Sequence, residues 1–115
     1  MDFTPRFENR CPDFIAVDLN ANLYKYEVIL DFFVKELDLK NEPDWKEKAK
    51  RRKQLLNKYC WNETRGMFMD YDFINKRFSS VASITCLSPL AMGIASKTQA
   101  KKQLRIYHYL SINMV

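Results

Sequence analysis

Val17-Asp18-Leu19-Asn20-Ala21-Asn22-Leu23-Tyr24-Lys25-Tyr26-Glu27-Val28-Ile29-Leu30-Asp31-Phe32-Phe33-Val34-Lys35-Glu36-Leu37 is the stretch on which the fold turns. Its apolar positions Leu23, Tyr26, Leu30, Phe33, Val34 and Leu37 recur at helical steps, which predicts a helix with one buried stripe. Ile29 and Phe32 widen that stripe. Asp18 stands at the start, where its carboxylate can accept the free amide hydrogens of a first turn. A face this wide fits a helix packed on two sides, as in a double-layered helical barrel, so the expected fold class is mainly α.

Moving outward, Asn41-Glu42-Pro43 ends this helix and Asp44 caps the next, with Glu47 completing a capping-box-like pair. Trp45, Ala49, Arg52, Leu55, Leu56 and Tyr59 form the inward stripe of that second helix. The short polar connection makes the two an antiparallel helix pair. The helical period stops near Trp61-Asn62, and Thr64-Arg65-Gly66 supplies a turn in which Gly66 can take a positive φ. From Met67 to Phe73 apolar and polar residues alternate as in a strand. Asn75-Lys76 then turns the chain back through Arg77-Phe78-Ser79, predicting a small β-hairpin near 67–79. In a hairpin Asp70 and Asp72 point to the same face, close enough to repel or share a proton, and the role expected of them is structural, with hydrogen bonds that shape the rim of a helical barrel.

Further along, Ser88-Pro89 opens a helix through Leu90, Met92, Ile94 and Ala95, and Ser96 with Gln99 marks another helix start. Residues 103–115 are less acidic and less helical in composition than what precedes them. Back-translated with A/T-rich codons and read one base out of frame, they can spell an amphipathic helix. The expected division is therefore a domain over 1–102 and an atypical, frameshifted tail over 103–115.

A chain of 115 residues has room for one domain. Its apolar content of 47% is too high for a disordered chain. No apolar run reaches the roughly 18 residues that span a bilayer, and no signal-peptide pattern opens the chain, which reads as a cytoplasmic product without a membrane partner. Cys11, Cys60 and Cys86 are odd in number and widely spaced, as in a reducing compartment. A structural zinc site needs about four ligands; His108 is the single histidine, so no metal site is expected. Much of the net charge of +5 comes from Lys46, Lys48, Lys50, Arg51, Arg52, Lys53 and Lys58. That run reads as the solvated face of a helix. The alternative is a small helical binding module whose basic helix 45–58 contacts nucleic acid or an acidic partner.

One resemblance organises these features. Met1-Asp2-Phe3-Thr4-Pro5-Arg6-Phe7, Val17-Asp18-Leu19-Asn20, Trp61-Asn62-Glu63-Thr64-Arg65-Gly66-Met67-Phe68 and Asp70-Tyr71-Asp72-Phe73 occur in the order in which trehalases carry similar segments. The chain thus resembles trehalases and the related mannosyl-oligosaccharide glucosidase-like hydrolases, with Ala16 where proline is usual. The resemblance implies antiparallel helix pairs from an incomplete (α/α)6 barrel and hydrolysis of trehalose, or a related α-glucoside, with inversion. It implies no cofactor, and a small sugar as substrate rather than nucleic acid.

By the same resemblance, Asp2 falls on the catalytic acid and Arg6 on a substrate-binding arginine. Inversion requires a second carboxyl group about 6.5–9.5 Å from the acid, as base for the attacking water. The resemblance places that base far downstream, and nothing in these 115 residues matches it. Asp2 would need a raised pKa to arrive protonated, whereas the α-ammonium of Met1 favours its ionised form. The expectation is a fragment of a glycosidase, inactive alone.

Overall fold

The computed structural model describes residues 13–81 and 84–113. A short strand, β1 (Phe14–Ile15), leads into α1 (Val17–Glu36), and α2 (Trp45–Leu55) runs on through a π-helical turn at Leu56–Cys60. Four strands follow, β2 (Trp61–Asn62), β3 (Met67–Phe68), β4 (Tyr71–Asp72) and β5 (Arg77–Phe78). A 3₁₀ turn (Ile84–Leu87) continues into the short α3 (Ser88–Ala91), and α4 (Lys97–Asn113) ends the described chain.

The helix pair forms as the sequence predicts. Asp44 is the N-cap of α2, its carboxylate accepting the amide hydrogen of Glu47 at 3.1 Å. Glu47 does not return that bond; its side chain instead accepts from Arg51 Nε at 3.2 Å, one turn on. The connection between the helices passes through Asp38 and Asn41, both with positive φ, a conformation that short polar side chains tolerate. Ser96 and Gln99 close a full capping box at the start of α4, with reciprocal bonds of 3.1 and 2.9 Å.

The core gathers Val17 and Ala21 from the first turns of α1, Leu56 and Cys60 from the end of the α2 segment, and Met67, Phe68 and Met69 from the strand region. Cys86 and Ile94 close it from the other side. Gln103 of α4 is fully buried. Its amide oxygen accepts from Phe68 N at 3.2 Å, and its amide nitrogen donates to the Cys86 carbonyl at 2.8 Å. A buried amide satisfied on both sides ties α4 to the core without the cost of an unmet polar group.

Several local expectations are corrected. Asp18 is not the cap of α1: the N-cap lies two residues earlier, at Ala16, and the Asp18 carboxylate accepts the adjacent Leu19 amide hydrogen. The alternating run 67–73 is not one strand. β3 ends at Phe68 and β4 begins at Tyr71, and Met67, Phe68, Met69 and Asp70 are all buried rather than alternating. β3 pairs antiparallel with β2 across the Gly66 turn, where Gly66 has φ +67°. β4 pairs with both β5 and β1. The helix expected to run from Ser88 to Ala95 stops at Ala91, because the chain reverses at Gly93 with φ +81°. The stretch beyond Lys102, less helical by composition, continues α4 to Asn113. The apolar stripe of α1 is only partly covered: Tyr26, Phe32, Phe33 and Leu37 are 51–63% exposed.

Candidate functional site

Asp2, Arg6 and Cys11 lie outside the described residues. What the structure describes is the landing of that segment, which re-emerges at Asp13 and runs straight into β1. The Asp13 carbonyl accepts the Phe73 amide hydrogen at 3.0 Å. Phe14 then faces Asp72, and Ile15 faces Tyr71, in antiparallel register. The Ile15 carbonyl also accepts a weak bond from Cys60 Sγ at 3.9 Å.

Two residues later α1 begins, and its first amide is met from a distance. Asp70 Oδ1 accepts the Val17 N–H at 2.8 Å, across 53 residues of sequence. Asp70 is wholly buried. A carboxylate in such a place is costly unless hydrogen-bonded, and a helix N-terminus offers both free amide hydrogens and a favourable dipole. The Asp70 carbonyl accepts from Ser79 N at 2.8 Å, which locks the residue into the β4–β5 hairpin.

Asp72, equally buried, serves the hairpin itself. Its Oδ1 accepts from Ile74 N at 3.1 Å and Asn75 N at 3.0 Å, while Oδ2 accepts from Asn75 Nδ2 at 2.8 Å. Both carboxylates are engaged in hydrogen bonds to backbone amides, Asp70 to Val17 and Asp72 to Ile74 and Asn75.

A second brace acts on the opening turn of α1. Asn20 Nδ2 donates to the Ala16 carbonyl at 2.9 Å, and Asn20 Oδ1 accepts from Arg52 Nη1 at 2.7 Å. Arg52 Nε also donates to the buried carboxylate of Glu27. Arg52 thus turns inward from the basic run, while Lys46, Lys48, Lys50, Arg51, Lys53 and Lys58 remain exposed on α2 and its extension. Sequence reasoning missed the reach of Asp70 because it sought the cap among neighbours of α1. The Arg52 brace left a signal, a cation on the inward stripe of α2, where burial demands a partner.

Between α1 and α2 lies a groove of about 600 Å³ lined by Leu23, Tyr26, Leu30, Trp45 and Leu55, with Lys48 and Arg51 at its edge. The indole Nε1 of Trp45 is buried there without a hydrogen-bond partner. Among the described residues no group of His, Cys, Asp and Glu could hold a metal ion, and no helix is long and apolar enough to cross a membrane. The described residues do not themselves gather a set of reacting groups.

Comparison with known proteins places this geometry. The trehalase family profile matches residues 1–113. The chain is 39% identical over 112 residues to the cytosolic neutral trehalase of Saccharomyces cerevisiae, covering 88% of this chain and 15% of that protein. It is 35% identical over 119 residues to the cytosolic neutral trehalase of Beauveria bassiana, covering 86% of this chain and 16% of that protein. Its fold is similar to the solved structure of neutral trehalase Nth1 from Saccharomyces cerevisiae, with a TM-score of 0.78 and 36% identity over 90% of this chain and 21% of that one. The chain spans 15–16% of the length of these curated relatives.

Proposed function

The chain belongs to the trehalase family, and we propose that it supplies the acid-bearing section of an inverting glycosidase acting on trehalose or a related α-glucoside. In this reading Asp2 protonates the departing glycosidic oxygen and Arg6 holds a sugar hydroxyl. A carboxylate elsewhere in a longer polypeptide activates water on the opposite face of the sugar. The working compartment follows the cytosolic relatives. The observation that supports the reading is the trehalase-family match over residues 1–113, which takes in both Asp2 and Arg6.

General acid, base and sugar contacts act only when held together, so the 115-residue chain by itself does not turn over trehalose. Residues 1–113 exchanged into the matching segment of the Saccharomyces cerevisiae cytosolic neutral trehalase restore turnover, and proton NMR of the fresh products shows one glucose released as the β-anomer. Release of α-glucose alone contradicts inversion. Turnover by the isolated chain contradicts the division of the two carboxyl groups.

A further inference from the structure

Leu19, Leu23, Tyr26, Leu30, Phe33 and Leu37 follow one another along α1 at alternating steps of four and three residues. That is the 3.5-residue repeat of a seam that packs against another helix. The core uses a different side of α1, through Val17 and Ala21. Five of the six seam residues are 40–63% exposed, and Leu23 is half-buried. The flank of the seam next to α2 is already engaged, since Asn20 and Glu27 both accept from Arg52. Leu23, Tyr26 and Leu30 also line the groove of about 600 Å³ between α1 and α2, so seam and groove form one open apolar face.

The seam matches itself when reversed. Turned end over end about Val28, it sets Tyr26 against Leu30, Leu23 against Phe33 and Leu19 against Leu37. Every aromatic ring then meets a leucine, large on small. A parallel pairing would instead stack Tyr26 on Tyr26 and Phe33 on Phe33. The free flank carries Asn22, Ile29 and Glu36. In the reversed pairing Asn22 meets Glu36 and Ile29 meets Ile29, so no like charges are opposed. A surface that complements its own reversed copy is the requirement of a two-fold interface.

We propose that a second copy of this chain covers this face: two α1–α2 hairpins pair about a two-fold axis, α1 antiparallel to α1, as a four-helix bundle. The seam is fewer than three heptads long, short for a two-stranded coiled coil by itself. The groove adds to it, because a helix lying on the seam packs against α2 as well. Burial of the exposed leucines and aromatics supplies the driving force. The inference does not rest on the glycosidase reading.

Sedimentation equilibrium of the 115-residue chain tests the stoichiometry. The expected fit is a monomer–dimer equilibrium, between 13.7 kDa and twice that mass. Phe33→Glu, on the seam, raises the dissociation constant about 30-fold or more with helix content by circular dichroism unchanged. Ile74→Glu, at an exposed apolar residue outside the seam, leaves it within about twofold. Cross-linking reads the direction in a Cys11→Ser background, where the remaining Cys60 and Cys86 are buried. Chains with Leu23→Cys and chains with Phe33→Cys form a disulfide with oxidised glutathione when mixed, and neither does so alone, because only the antiparallel layers bring the two within reach. This decides the matter even if Phe33→Glu fails to fold. Growth beyond the dimer, an unchanged constant in Phe33→Glu, or a disulfide in Leu23→Cys alone overturns the proposal. So does a monomer at every concentration, which leaves the face to a different partner, such as a further segment of a longer polypeptide.

Discussion

Cys60 is fully buried at the end of the π-helical turn, its sulfur against the Ile15 carbonyl and its neighbours the apolar core. Burial first, then the charges of Asp70 and Cys86, push its thiol far above the ordinary value of 9.0. The folded chain therefore keeps a proton that the unfolded chain releases near pH 9, so stability is lost as pH rises beyond that point. The expected slope is about 1.4 kcal/mol per pH unit above about pH 9, read as a falling urea midpoint and flattened in Cys60→Ala. The same burial keeps Cys60 and Cys86 unreactive: in a Cys11→Ser chain at pH 8, Ellman's reagent labels them only at the rate of unfolding. Rapid labelling, or a midpoint independent of pH between 8 and 10, contradicts this account. At this scale the sequence was least legible. Asp18 is the expected cap by position, yet Asp70 does the work from 53 residues away, and no local pattern encodes a long-range hydrogen bond. Arg52 was half legible, since its place on an apolar stripe called for a buried partner without saying that Glu27 and Asn20 provide it.

Among the elements, those defined by local chemistry were read directly. The α1–α2 pair follows from helical periodicity, and Asp44 and Ser96 mark the starts of α2 and α4 because capping is settled within four residues. Asp44→Ala removes the acceptor for the Glu47 amide and is expected to cost about 1 kcal/mol, seen as a lower urea midpoint with unchanged slope; an unchanged midpoint contradicts the cap. Elements defined by tertiary pairing were misread. Alternation from Met67 to Phe73 predicted one strand, but β3 joins β2 while β4 joins β1 and β5, and Met69 and Asp70 between them are both buried. Ser88-Pro89 correctly marked a helix start, while Gly93 cut the helix short. The segment 103–113 remains helical because Gln103 is locked to Phe68 and Cys86, a tertiary link that composition does not reveal.

The whole molecule is extended, 52 × 30 × 22 Å with a radius of gyration of 16.0 Å, against roughly 13 Å for a compact chain of this length. Its outer half of α1 presents Tyr26, Phe32, Phe33 and Leu37 to solvent, and contiguous apolar surface of that kind marks a contact face. The 115-residue chain is therefore expected to self-associate, with a weight-average mass that rises with concentration in sedimentation equilibrium; a monomer of 13.7 kDa throughout contradicts this. The sequence showed a helix apolar on two sides, while the incomplete barrel was what the resemblance to trehalases implied. The assignment of Asp2 as acid and of Arg6 as sugar contact rests on the resemblance alone, since neither residue carries a spacing signal of its own. The most direct test of the central claim is kcat for trehalose in the chimera with and without Asp2→Asn. The account predicts a loss of about 100- to 10,000-fold in kcat with the chimera still folded. Turnover undiminished in Asp2→Asn would contradict it.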